Sequence, residues 1–140
     1  MSEYWFKSTL FDIDPGEDEE TNPQCYGKQL SSWLKDELSA IGYDVEDVIP
    51  EDWGWCVMCS REPYWLWVGC GCLVEVSDSD AQEVIPNKDK IIWHCFVEAE
   101  VPFFKSIFKK ADTTEGVRKL ANDLESLLKL RTEITLLEAS

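Results

Sequence analysis

Histidine occurs once in these 140 residues, at His94, and basic side chains are scarce: 13 Lys and Arg stand against 28 Asp and Glu, a formal net charge of −15. A single imidazole leaves any His-dependent triad only one choice. So few bases cannot form the general basic face that displaces phosphate counterions, which disfavours direct DNA or RNA binding and adhesion to an anionic membrane. No apolar run reaches the roughly 18 residues needed to span a bilayer. The opening stretch, MSEYWFKSTLFDID, has an acid at Glu3 and lacks both a basic n-region and a small-residue cleavage site. A secretory signal is therefore not expected, and the reading is of a cytoplasmic protein with no membrane segment. Common catalytic motifs are missing as well: there is no GxSxG, Walker-type loop, GxGxxG or HExxH. Gly69-Cys70-Gly71 is too short for a phosphate cradle and lies inside a strand-like run.

What the chain does have is apolar and aromatic mass, 44% and 12% of its residues, enough for the core of one domain over residues 1–140. The densest stretch is Val48 to Val76, with four of the seven tryptophans and four of the six cysteines in two runs around Ser60-Arg61-Glu62-Pro63. Two β-prone runs broken by a polar cluster with proline predict a hairpin at the centre of a sheet. In its second strand Tyr64, Leu66, Val68, Cys70, Cys72, Val74 and Val76 form a core face. Trp65, Trp67, Gly69, Gly71, Leu73 and Glu75 form the other, and indoles beside glycines predict that something lies over that face.

Alternation over Tyr4–Ile13 predicts a first strand, stopped by Asp14-Pro15-Gly16 and followed by a solvating acidic loop, Glu17 to Glu20. Asn22-Pro23 reads as an N-cap with proline at the first helical position, opening a helix to Ile41 with Gly42 as its stop. Its apolar stripe is Tyr26, Leu30, Trp33, Leu34, Leu38 and Ile41. Residues 44–50 read as an extended link, 77–90 as a loop and Ile91–Val101 as a strand, with a helix-like turn over Phe103–Lys110. Asp112 to Glu115 fits a capping box for a helix with Val117, Leu120, Ala121, Leu124, Leu127 and Leu128 on one stripe, and Ile134–Leu137 closes the chain as a strand. Sequential strands on short loops predict an α+β fold: a mainly antiparallel sheet of about five or six strands with two amphipathic helices packed on one face.

Cysteines set among Val, Leu and Trp read as reduced, buried thiols acting as small hydrophobes. Zinc is the alternative, through Cys56-x2-Cys59, Cys70-x-Cys72 and His94-Cys95. A spacing of three sends Cys56 and Cys59 to opposite strand faces, and a turn near Glu62 sets Cys56 opposite about Val68 and Cys59 opposite Trp65 or Leu66. The two pairs are then not adjacent, so no metal is expected. No helix start lies beside the CxxC to activate a thiol for redox chemistry. Glu51-Asp52 and Glu98 with Glu100, the latter about 7 Å apart along one strand face, are the carboxylate pairs an acid–base enzyme could use. In so acidic a chain such pairs arise by chance, and no catalytic residue or cofactor is assigned.

Glu51-Asp52-Trp53-Gly54-Trp55 combines acids with flat amphipathic rings, the composition of an interaction surface, although both indoles could equally be core. Pro50 to Trp55, followed by Leu66-Trp67-Val68-Gly69-Cys70-Gly71, resembles a family of small bacterial cytosolic proteins with a PEDWGW motif. Asn22-Pro23 and Pro102-Phe103 extend the resemblance over most of the chain. It implies a bacterial single-domain protein and brings no activity or catalytic residue with it.

The reading drawn from charge, size and lack of chemistry is a non-enzymatic interaction module, immunity- or inhibitor-like, binding a basic protein partner. Its candidate binding residues are Glu51, Asp52, Trp53, Trp55, Trp65, Trp67 and His94. A small-molecule binder or small enzyme with a Trp-lined pocket near His94 is the alternative, and a DNA-mimic inhibitor follows from charge alone. Nothing in the sequence indicates an oligomeric state.

Overall fold

All five expected strands and both helical stripes become elements, and the sheet joins segments far apart in sequence. The computed structural model describes residues 2–75, 86–101 and 112–137. Within them lie β1 (Glu3–Ser8), α1 (Lys28–Ala40), β2 (Ile49–Glu51), β3 (Gly54–Ser60), β4 (Trp65–Val74), β5 (Ile91–Glu100), α2 (Thr114–Leu130) and β6 (Ile134–Leu137), with single 3-10 turns at Glu17–Glu19 and Lys88–Lys90. The six strands form one antiparallel sheet in the order β2-β3-β4-β5-β1-β6. The fold is α+β, as the strand order along the chain implies. The helix-like turn expected over Phe103–Lys110 and most of the loop expected over 77–90 lie outside the described residues.

One face of the sheet is closed by the helices. Tyr4 and Phe6 of β1, Trp55 and Val57 of β3, Leu66, Val68 and Cys70 of β4, and Ile91, Trp93, Cys95 and Val97 of β5 are buried there with Leu30, Leu34 and Leu38 of α1 and Leu120, Leu124 and Leu128 of α2. Period 2 in the strands meets period 3.6 in the helices, and each apolar set finds the other. α1 lies on β3 and β4, α2 on β5 and β6. Tyr4 Oη donates to the Ala121 carbonyl at 3.2 Å, fixing α2 to β1. Among the described residues no helix is long and apolar enough to cross a membrane.

The start of α1 differs from the expectation. The helix begins at Lys28 and not at Pro23, and Asn22-Pro23 belongs to the loop before it. Gly27 is the N-cap residue and has no side chain to satisfy the first amides. Glu17 does so from ten residues upstream: its Oε1 accepts from the N–H groups of Gly27 (2.8 Å) and Lys28 (3.1 Å), and its Oε2 from Asp14 N–H (2.7 Å). Glu17 is therefore buried and is not part of a solvating acidic loop. Tyr26 precedes the helix as a core residue, and Ile41 is exposed at its C-cap. The expected stop holds: Gly42 takes a positive φ of 109°, while Gly42 and Tyr43 donate back to Ser39 and Leu38.

Other boundaries shift for local reasons. β1 ends at Ser8, whose Oγ accepts from Leu10 N–H at 3.0 Å and turns the chain. The 44–50 link contributes a short edge strand at its end, Ile49–Glu51. The capping box is absent: Asp112 accepts from Thr114 N–H at 3.0 Å, but Glu115 turns to Arg118. β3 and β4 are one residue out of the expected register at Cys56, which lies opposite Gly69: the hairpin centres about Pro63 and not Glu62, with Ser60 opposite Leu66, and a bulge between Met58 and Ser60 takes back one residue of that shift.

Candidate functional site: an aromatic strip on the open sheet face

Among the described residues, neither α1 nor α2 packs on the second face of the sheet. β1 brings Glu3 and Trp5 to it, β3 Cys56 and Met58, β4 Trp65, Trp67, Gly69, Gly71 and Leu73, and β5 Ile92, His94, Phe96, Glu98 and Glu100. Cross-strand register sets Trp5 opposite His94 and His94 opposite Gly71; Glu3 lies opposite Phe96 and Phe96 opposite Gly69; Trp67 is opposite Glu98.

These neighbours make a continuous strip of rings. Trp5 and His94 stack with centroids 3.7 Å apart and planes 8° from parallel, and His94 lies 5.1 Å from Phe96. Phe96 is 5.8 Å from Trp67 and 5.3 Å from Trp53, and the two indoles stack at 5.6 Å. Gly69 makes room for this: a Cβ there would fall 2.2 Å from Phe96 Cζ, so the phenyl ring lies directly over the glycine. The expectation of a covered glycine face is thus met by a ring from the neighbouring strand.

Trp53 reaches the strip from the β2–β3 turn. Gly54 brings that turn hard against β4, since a Cβ would sit 2.4 Å from the Cys70 carbonyl oxygen. Asn22 Nδ2 donates to the Asp52 carbonyl at 2.8 Å and ties the turn to the loop before α1. Trp53 remains 39% exposed, and Glu51 and Asp52 beside it are exposed too. Glu98 and Glu100 are exposed along β5, and among the described residues no basic side chain forms an ion pair with Glu51, Asp52, Glu98 or Glu100.

His94 is a component of the strip and bonds to Glu3, not to Glu98. Its Nε2 lies 2.6 Å from Glu3 Oε1. The carboxylate only accepts, so Nε2 carries the hydrogen. Burial among the rings pushes the imidazole pKa down from 6.5, and Glu3 offsets part of that. At neutral pH the ring is therefore uncharged.

Trp65 stands on the same face with the Arg61 guanidinium 5.2 Å from its ring centroid, and Arg61 Nε pairs with Glu46 at 2.5 Å. Trp55 does not belong to the site. It is a core residue under α1, 2% exposed, on the helix-covered face, with no acceptor for its buried Nε1–H among the described residues. Gly54 between the two indoles directs Trp53 outward and Trp55 inward. The sequence did not single out Trp5, Phe96 or Glu3; the signal available for them was alternation on a polar-flanked strand face.

Three cavities lined by described residues lie elsewhere, around Ser2 and Thr114, Phe11 and Trp33, and Asp12 and Asn87. None is lined by Trp65, Trp67 or His94. The six thiols are free: Cys56 and Cys59 point to opposite faces, and Cys70 lies opposite Cys95 in the core. Burial pushes Cys56 and Cys59 up to about 12, and Cys70 well up, its neighbour Cys95 adding to the rise. Among the described residues no three His, Cys, Asp or Glu side chains are placed to hold a metal. Comparison with protein-family models, curated proteins and solved structures finds no match.

Proposed function

We propose that this chain is a non-enzymatic interaction module, of the immunity or inhibitor type, which binds a basic protein partner through the open face of its sheet. The observation that carries the reading is the strip Trp5–His94–Phe96–Trp67–Trp53, edged by Glu3, Glu51, Asp52, Glu98 and Glu100. Rings supply desolvated contact area at low entropic cost, and carboxylates at the rim steer and orient a cationic partner. The net charge of −15 makes a second copy of the chain a poor occupant, since two such faces would repel. It equally disfavours nucleic acid.

Two features weigh against the pocket reading. Phe96 occupies the space over Gly69, and His94 bonds to Glu3 on a surface strip instead of facing Glu98 across a cleft. The test is capture from a bacterial lysate on immobilised wild type and on Trp53→Ala/Trp67→Ala, at low and high salt. A protein of high isoelectric point, retained by the wild type and lost both in the variant and at high salt, supports the reading. Retention only of acidic proteins, or retention that ignores the substitutions, overturns it.

A further inference from the structure

The molecule seats its own arginines in a recurring way. Arg61 lies over Trp65 and pairs with Glu46. Arg131 lies 5.8 Å from the Trp33 ring centroid and pairs with Glu37 at 2.9 Å. In both, a guanidinium lies over an indole ring and one of its N–H groups meets a carboxylate oxygen. Lys28 sits over Trp55 beside Glu20 in a similar way, but a planar guanidinium with several donors suits such a seat better than an ammonium.

Trp53, Trp67 and Glu98 repeat these components on the open face. The two indoles stack at 5.6 Å, Glu98 is directly opposite Trp67 across β4 and β5, and Glu51 and Asp52 adjoin Trp53 in the chain. No described basic side chain stacks on Trp53 or Trp67. We infer that this corner of the strip is an arginine seat: the partner anchors by a guanidinium laid on the Trp53–Trp67 pair, with its N–H groups on the neighbouring carboxylates. The inference rests on the interaction-module reading and specifies its partner's contact chemistry. Lysine would keep the charge but lose the stacked plane and the two-pronged hydrogen bond.

The experiment follows the indole N–H signals of the full chain by two-dimensional NMR, assigned with single Trp→Phe variants. The probes are Nα-acetyl-arginine methylamide, its lysine counterpart and a neutral glucose disaccharide. The expected result is movement of the Trp53 and Trp67 signals, saturating at about fivefold lower concentration for arginine than for lysine. Glu98→Gln, a change at an exposed position, should bring the arginine curve to the lysine one. Equal curves for the two amino acids, movement confined to other indoles, or a response to the disaccharide alone would each overturn the arginine seat. Indole shifts that appear on concentrating the protein without probe would assign the face to self-association instead. If the lysate yields a basic partner that needs Trp53 and Trp67 while arginine and lysine titrate alike, the seat fails and the module reading stands. If arginine is selected but no basic protein is captured, the converse holds.

Discussion

Replacing Glu17 probes the least conventional element of the fold, a helix capped from another part of the chain. Its buried carboxylate accepts three backbone N–H groups, those of Asp14, Gly27 and Lys28, two of them at the positive end of α1. Glu17→Ala leaves all three donors without that acceptor. A hydrogen bond to a charged group contributes about 1.5–3 kcal/mol and an orphaned buried donor costs about 1–3, but water will enter part of the space, so a loss of roughly 3–5 kcal/mol is the reasoned total. That is a large part of the 5–15 kcal/mol typical of a domain, and should lower the melting temperature by roughly 10 °C. Glu17→Gln keeps one carbonyl acceptor but turns an amide donor toward a backbone donor, and should lose about half as much. Urea unfolding followed by far-ultraviolet circular dichroism gives both values, with the exposed Glu19→Ala and Glu20→Ala as controls held within about 0.5 kcal/mol of wild type. Should Glu17→Ala join those controls, the capping account of α1 is wrong.

Three further outcomes follow from packing and titration. Leu34 of α1 is fully buried, so Leu34→Ala should cost roughly 2–5 kcal/mol in the same assay; a loss below about 0.5 would deny that the helix packs on the sheet. The single histidine can be titrated by NMR, and its midpoint should fall below 6.5, and lower again in Glu3→Gln, because burial depresses it and Glu3 partly restores it. As pH falls the unfolded chain takes up that proton first, so the His94 contribution to stability is intact above about 6.5 and is lost as pH drops through the folded value; a midpoint above 6.5 would mean the ring is not buried in the strip. In native protein at pH 8 a thiol reagent should modify at most the half-buried Cys25 and Cys72, with all six cysteines reacting in denaturant, and rapid native modification of Cys56 or Cys59 would contradict their burial.

Alternation and helical stripes were legible because one face of each element is buried. Ile91–Glu100, the Leu120 to Leu128 stripe and Ile134–Leu137 lie where the pattern put them. The start of α1 was not, since Asn22-Pro23 has the right cap chemistry while the actual acceptor, Glu17, reaches Gly27 only through the fold of the intervening loop. The polar cluster Ser60 to Pro63 does not say which residue the hairpin centres on, so the register at Cys56 slipped by one residue. At the site, Trp65, Trp67 and the two glycines marked the open face of β4. Their neighbours could not be named from sequence, because strand order places β1 beside β5 and so brings Trp5 onto His94 across 89 positions of chain. The motif left Trp53 and Trp55 open to either a surface or a core place, and the Gly54 turn separates them onto opposite sides.

The central claim, that rings and rim charge on one sheet face act together on a basic partner, is tested most directly by association and dissociation rates of the captured partner at two ionic strengths. The account predicts that Glu51→Gln/Asp52→Asn/Glu98→Gln slows association and flattens its salt dependence, while Trp53→Ala mainly speeds dissociation. Rates unchanged by either variant and indifferent to salt would contradict it.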